Sequence, residues 1–220
     1  MLAKLEELRN GFDGDLYTDT TIRTLYSTDA SVYKEMPLAV SRPKSKEDIK
    51  RLIKFANTFK TSLIPRTAGT SLAGQVVGSG IVVDVSKYFT EIIELNVEKK
   101  WVKVQPGVVL DELNKYLEKY GLFFGPETST SNRCMIGGMV GNNSCGSHSI
   151  VYGTTREHVL ELKTFLSDGS EVEFKPLTIA EFEEKCQGDS LESKLYQFVR
   201  SKLSDPVTQQ EIINEFPNFS

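Results

Sequence analysis

The stretch Ser62-Leu63-Ile64-Pro65-Arg66-Thr67-Ala68-Gly69-Thr70-Ser71-Leu72-Ala73-Gly74 decides how this chain folds and what it holds. A short apolar strand, Ser62-Leu63-Ile64, runs directly into a loop of small residues. Glycine lets backbone amides face a ligand with no side chain in the way. Successive amides in such a loop form a nest that binds anions. A second small-residue region follows. It runs from Gly125-Pro126-Glu127-Thr128-Ser129-Thr130 through Ile136-Gly137-Gly138-Met139-Val140-Gly141-Asn142-Asn143-Ser144-Cys145-Gly146 to Tyr152-Gly153. Two such loops imply a long ligand with a phosphate part, lying along exposed backbone. That ligand class is a nucleotide cofactor.

Outward from the first loop, residues 38 to 85 read as β-α-β. Leu38-Ala39-Val40 forms a short strand ended by Pro43. Ser45 is placed to cap the next helix, with Asp48 three residues on in the capping-box position. Ile49, Leu52, Ile53 and Ala56 then recur at helical spacing. Ile81-Val82-Val83-Asp84-Val85 is a short apolar run suited to a buried parallel strand. From residue 91 the pattern changes. Glu91 to Leu95 and Trp101 to Val104 predict an antiparallel pair, and Leu110, Leu113 and Leu117 mark a helix closed by Gly121. Leu160 to Leu166, the turn Ser167-Asp168-Gly169 and Glu171 to Phe174 predict a hairpin with a tight primed turn. The fold class is α+β, with a small β-α-β unit before a mainly antiparallel unit and the ligand between them. The expected divisions are a helical lead-in over 1–36, a cofactor domain over 37–175 (subdomains 37–90 and 91–175), and a helical tail over 176–220. Helices are expected at Ile179 to Lys185 and Leu191 to Leu203. The close at Pro217-Asn218-Phe219-Ser220 reads as a chain cut before its natural end.

The 220 residues carry 26 Lys and Arg against 30 Asp and Glu, a net charge of -4. Without a lysine-rich stripe, a nucleic-acid partner is not expected. The apolar stretches are too short to span a bilayer. The N-terminal Met1-Leu2-Ala3-Lys4-Leu5-Glu6-Glu7-Leu8-Arg9 lacks a signal-peptide apolar core, which points to the cytoplasm unless a missing part anchors the protein. Cys134, Cys145 and Cys186 include no Cys-x-x-Cys pair, so free thiols are expected and no metal site. His148 and His158 are too few for a histidine-based metal site.

Two phosphate motifs nearly fit and fail. Gly69-x4-Gly74 has Walker-A spacing, but Gln75 stands where lysine must be. Gly78-Ser79-Gly80 begins a dinucleotide fingerprint, but Val83 replaces the third glycine and a strand follows in place of a helix.

The whole run Pro-Arg-x-x-Gly-Thr-Ser resembles the pyrophosphate loop of FAD-linked oxidases of the vanillyl-alcohol-oxidase type, whose fold is the PCMH-type FAD-binding domain. Tyr26-Ser27-Thr28-Asp29-Ala30-Ser31 and Pro37 fit upstream. Val104-Gln105-Pro106-Gly107-Val108, Gly125-Pro126, Ile136-Gly137-Gly138, Tyr152-Gly153 and Asp168-Gly169 follow in the family's order. The resemblance covers about residues 24 to 174. Within the family, the run Gly141 to Gly153 is most similar to the D-lactate dehydrogenase and glycolate oxidase branch, especially its long bacterial members. Those carry a C-terminal iron–sulfur region.

The resemblance implies roles. Backbone amides from Arg66 to Leu72 (Arg66, Thr67, Ala68, Gly69, Thr70, Ser71, Leu72, after Pro65) would hold the FAD pyrophosphate. Pro126, Glu127, Thr128, Ser129 and then Ile136, Gly137, Gly138, Gly141, Asn142 and Asn143 would run along the ribityl chain and ring. Tyr152 and Gly153 would close the pocket. Relatives with a tethered flavin carry a histidine where this chain has Thr70, so FAD is expected to be non-covalent. Arg66 has two open readings, a phosphate partner or the partner of a surface carboxylate. His148 is read first as a loop histidine satisfied by backbone, with no local partner pattern. Cys145 is read as a small filler.

Two functions follow. One is the FAD-binding part of a dehydrogenase that oxidises a small D-2-hydroxy acid such as D-lactate, glycolate or D-2-hydroxyglutarate, with catalytic residues and electron acceptor unknown. The other is a non-catalytic nucleotide- or FAD-binding module. A UDP-sugar reductase of the same fold is an enzyme alternative, opposed by Asn142-Asn143-Ser144.

Overall fold

The computed structural model describes residues 1–216. The expected abrupt end at Pro217–Ser220 lies outside the described residues. The chain divides into two compact units, Met1–Val159 and a second beginning at Leu160.

The first unit opens with α1 (Leu2–Arg9), β1 (Asp15–Tyr17) and α2 (Thr20–Leu25), then β2 (Ala39–Arg42), α3 (Lys46–Phe59), β3 (Leu63–Arg66) and β4 (Ile81–Asp84). The four strands make one sheet in the order β1-β2-β4-β3. β4 lies parallel to both β2 and β3, and all four of its residues are buried. That is the outcome an unbroken Ile-Val-Val run dictates, since a central parallel strand has no solvent face. β1 adds antiparallel to β2, pairing Leu16 with Ser41. It is a three-residue strand with one buried side chain, too short to show alternation, so periodicity could not reveal it.

The Ser45 cap forms as expected. Ser45 Oγ accepts from the Asp48 amide at 3.2 Å, and the Asp48 carboxylate accepts back from the Ser45 amide at 3.3 Å. Asp48 does more than cap. It is 1% exposed and also accepts from the amides of Asp13, Gly14 and Lys44 at 2.9–3.0 Å. A buried carboxylate needs such donors, and here they tie the N-terminal segment to α3. Leu5, Leu16, Leu52, Phe55, Ile81 and Val83 share one core. Phe55 is also buried on this face, beside the Leu52 and Ala56 that the helical spacing named.

β5 (Ile92–Asn96) and β6 (Trp101–Val104) then pair antiparallel, with a register shift between Ile92 and Glu94. α4 (Leu110–Glu118) buries Leu110, Leu113 and Leu117. No side chain caps it. Its first amides, Leu110 and Asp111, donate to the carbonyls of Cys134 and Ser131 at 3.1 Å each. Gly121, at φ +66, turns the chain past its end.

The second glycine region differs from the loop expected. Ile136–Asn142 is a helix, α5, followed by the short α6 (Ser149–Tyr152) and a 3-10 turn over Thr155–His158. Three glycines in seven residues disfavour a helix locally. Packing overrides this: Met139 is 1% exposed in a cluster with Leu110 and Cys134, and the amides of Ile136 and Gly137 donate to Val108 and Pro106.

The second unit holds β7 (Leu162–Phe165), β8 (Glu171–Phe174), α7 (Ile179–Lys185), α8 (Leu191–Leu203) and α9 (Pro206–Glu215). The hairpin register pairs Phe165 with Glu171. Its connection is the expected turn over Ser167-Asp168-Gly169, a three-residue loop with Gly169 at φ +88. The Leu166 amide donates to Ser170 at 2.9 Å across it. Asp168 decides this, because its carboxylate accepts from the Ser170 hydroxyl at 2.6 Å and amide at 2.9 Å. Those bonds hold the carboxyl below its ordinary range. No helix among the described residues is long and apolar enough to cross a membrane.

Candidate cofactor site

The first loop leaves the C-terminal end of β3, where the neighbouring strands end in Arg42 and Asp84. Open sheets hold ligands at these strand ends. None of the six backbone N–H groups of residues 67–72 donates to an acceptor among the described residues. Buried or half-buried amides are normally paired, so this row of free donors suits an anion. Gly69 and Gly74 sit at φ +69 and +70, the left-handed region that favours glycine. Leu72 points outward and is 82% exposed.

Arg66 pairs with no carboxylate among the described residues, so the surface-carboxylate reading is not the one it takes. Its Nη1 donates to the Thr28 carbonyl at 2.8 Å, and its guanidinium lies 5.1 Å from the centre of the Tyr26 ring. The Tyr26 hydroxyl donates to Asp84 Oδ2 at 2.5 Å and accepts from Arg42 Nη2 at 2.8 Å. Burial, and then the bond to Asp84, raise the Tyr26 pKa.

The second region comes back to the first. A Cβ on Gly138 would stand 2.5 Å from Thr67 Oγ1. The two glycine segments therefore touch, although nothing in their separate patterns places them together. Gly138 is also the α5 residue whose amide stays unpaired at the helix start, while Gly137 is pressed on Pro106. Beyond the helix, Asn143 is left-handed at φ 49, and its side-chain oxygen accepts from the Arg156 amide at 2.9 Å. Asparagine tolerates this C-cap conformation. Gly141 has open space around its Cβ position.

Residues 127–130 also leave their four amides without acceptors among the described residues. Their segment runs against 146–152: Gly146 is packed on the Glu127 carbonyl, and a Cβ on Gly125 would lie 3.0 Å from Tyr152 Cβ. His148 has a partner that local sequence did not show. Its Nδ1 lies 2.6 Å from Glu127 Oε2, with the Tyr152 ring 6.4 Å away. His158 Nε2 lies 2.6 Å from the Tyr152 carbonyl. Cys145 is exposed, and Cys134 and Cys186 are buried; none forms a disulfide among the described residues. Among the described residues no three His, Cys, Asp or Glu side chains are grouped to hold a metal ion.

The structure thus brings Thr67 and Gly138 into contact, and Glu127 to His148. It leaves two separate rows of free amides, which fit the anionic centre and polar length of a dinucleotide. Residues 37–175 match the family described as FAD binding domain. A D-2-hydroxyglutarate dehydrogenase of Pseudomonas putida is 39% identical over 98% of this chain, and one of Escherichia coli is 38% identical over 100% of it. The chain spans 22% of the length of each. The glycolate oxidase subunit GlcD of Bacillus subtilis is 34% identical over 67% of the chain and is covered over 32% of its own length. An alkyldihydroxyacetonephosphate synthase structure superposes with a TM-score of 0.70 at 19% identity, covering 87% of this chain and 36% of that one. A 6-hydroxy-D-nicotine oxidase from Arthrobacter nicotinovorans superposes with a TM-score of 0.65 at 18% identity, covering 75% and 36%. With its free-amide loop, its mixed α+β architecture and the family match over residues 37–175, the chain belongs to the FAD-binding domain family of FAD-linked oxidases, in the branch of the D-lactate dehydrogenases and glycolate oxidases.

Proposed function

We propose that this chain is the cofactor-holding part of a flavin-dependent dehydrogenase that oxidises a D-2-hydroxy acid, with D-2-hydroxyglutarate as the leading substrate. The observation that carries this is the near-complete match to two D-2-hydroxyglutarate dehydrogenases, against two-thirds coverage by the glycolate oxidase subunit. Bound FAD supplies the hydride acceptor. The chain's own residues bind and orient it. The amides of residues 66 to 72, after Pro65, take the pyrophosphate. Pro126, Glu127, Thr128 and Ser129, with Ile136, Gly137, Gly138, Gly141, Asn142 and Asn143, line the path toward the ring, and Tyr152 and Gly153 close it. Free amides at 67–72, 127–130 and Gly138 support that assignment.

FAD is held without a covalent bond, because Thr70 offers no imidazole or thiol for attachment. A substrate carboxylate needs a cationic clamp and its hydroxyl a base within hydrogen-bond reach. In this chain His148 is bound to Glu127 and His158 to the Tyr152 carbonyl. The clamp and base therefore belong to the further length that the relatives carry. A cytoplasmic site of action is part of the same proposal, supported by a first helix whose Leu5 is built into the core.

The purified chain should take up FAD, show a flavin absorption band, and return to its bare polypeptide mass when denatured. A persistent added mass equal to FAD would refute non-covalent binding. Dye reduction by the loaded chain with D-2-hydroxyglutarate, D-lactate or glycolate, at the rate of an intact dehydrogenase, would overturn the assignment of clamp and base to other parts of the protein.

A further inference from the structure

We propose that Arg66 is a positioning residue that sets the pyrophosphate loop from behind, against a strap formed by residues 26–35 and anchored on Asp84. This rests on the loop reading above. Arg66 is the last residue of β3, so its backbone starts the loop while its side chain is free to turn either way. It turns back. Nη1 donates to the Thr28 carbonyl at 2.8 Å, and the guanidinium carbon lies over the Tyr26 ring, 5.1 Å from its centre. Arginine suits this double duty, since its planar fork can bond at the edge and stack on its face.

The strap itself is fixed at both ends. The Tyr26 hydroxyl is held by Asp84, which is 5% exposed at the end of β4, and by Arg42 at the end of β2. Three strand ends thus converge on one ring. The Glu35 amide donates to the Ser27 carbonyl at 2.9 Å and closes the strap into a compact turn. The strap also grips the loop directly: the Ala30 amide donates to the Gly69 carbonyl at 3.1 Å. Gly69 is required twice over. Its φ of +69 is left-handed, and a Cβ there would stand 2.5 Å from Arg66 Nη2. The consequence is an amide row oriented before any ligand arrives. Donors fixed in advance bind an anion without the cost of ordering a loop.

The test uses the whole chain with FAD as probe and four variants: Arg66→Met, Arg66→Lys, Tyr26→Phe and Gly69→Val. FAD affinity is measured at low and high salt, and hydrogen exchange of residues 67–72 is measured in the FAD-free chain. Arg66→Met and Arg66→Lys are each expected to raise the FAD Kd about tenfold, the worth of one hydrogen bond from a charged group. That loss should be equal at both salt concentrations, because the missing contact is inside the fold. Loop amides should exchange faster in both, with the thermal midpoint little changed. Tyr26→Phe keeps the ring but frees it from Asp84, and should give a smaller rise in Kd with faster exchange.

Wild-type affinity in Arg66→Lys, or a loss that shrinks with salt, would make Arg66 a phosphate ligand and overturn the proposal. Unchanged exchange at 67–72 in both Arg66 variants and in Tyr26→Phe would overturn it as well, whatever the FAD affinity. Undiminished FAD affinity in Gly69→Val is a different failure: it removes the loop from the cofactor site, while the exchange measurement still decides whether the strap sets the loop. If Arg66→Met does not fold, Arg66→Lys and Tyr26→Phe carry both measurements.

Discussion

The first glycine loop and the second glycine region look alike as sequence, yet they use glycine for different reasons. In the first, Gly69 and Gly74 sit in left-handed backbone, and what presses on them is the side chains of Arg66 and Tyr33. In the second, Gly137 and Gly138 lie in α5 with helical backbone, and they are glycine because Pro106 and Thr67 occupy the space of a side chain. Conformation is a local demand. Close approach is a demand made by another part of the chain. A glycine-rich run by itself does not say which applies, and a substitution at each kind of site should fail in its own way.

The largest effect is expected from Gly69→Val. A branched residue in the left-handed region costs about 1–2 kcal/mol, and its side chain must also displace Arg66. FAD affinity should fall by about a hundredfold or more, read by titration with the fold checked by circular dichroism. No companion substitution should restore it, because the backbone strain is intrinsic to the position.

Gly138→Ala should behave differently. The new methyl stands 2.5 Å from Thr67 Oγ1, an overpacked contact worth about 1–3 kcal/mol. FAD affinity should fall roughly tenfold. Here Thr67→Ala in the same chain should rescue much of the loss, giving a coupling of about 1 kcal/mol or more in a double-mutant cycle. Strict additivity of the two substitutions would break the claim that the two regions meet at this contact.

Gly141→Ala sharpens the same comparison. Nothing lies within 4 Å of its Cβ position, so the helix should gain about 0.5–1 kcal/mol, seen as a thermal midpoint raised by about 1–4 °C. If the open space is where the cofactor passes, FAD affinity should fall a few-fold in this more stable protein. A gain in stability with unchanged affinity removes Gly141 from the site.

The smallest effect concerns the turn that closes the second region. The Glu157 carboxylate accepts from the Thr154 amide, and that bond holds its pKa below 4.5. A carboxyl with a lowered folded pKa adds stability above its unfolded value and loses it as pH falls through the folded one. The thermal midpoint should therefore drop on acidification below 4.5, and Glu157→Gln should drop less. An equal drop in both would assign the acid sensitivity elsewhere.

Much of the framework was legible because it is written in neighbouring residues. Ser45 and Asp48 carry the start of α3 in a three-residue spacing. Ile81 to Asp84 announce a strand with no solvent face, and Leu110, Leu113 and Leu117 at helical spacing announce α4. Three things were not legible. β1 is too short to show a period. α5 contradicts its own propensity and stands on Met139 and the carbonyls of Pro106 and Val108. The Glu127–His148 pair joins residues on different segments, and no local pattern marks either as the other's partner.

By itself the sequence determined most of the strands, the capped start of α3 and the small-residue loop after β3, since each depends on hydrogen bonds and side-chain spacing within a few residues. Its ordered motifs also carried the resemblance to FAD-linked oxidases. The tertiary structure alone decided that Arg66 packs between Gly69 of the loop and Tyr26, that Asp84 and Arg42 meet on that tyrosine's hydroxyl, and that Gly138 lies against Thr67. Those contacts join residues far apart in the chain. They exist only where the sheet brings its strand ends together and where α5, against its propensity, is held in place by buried packing.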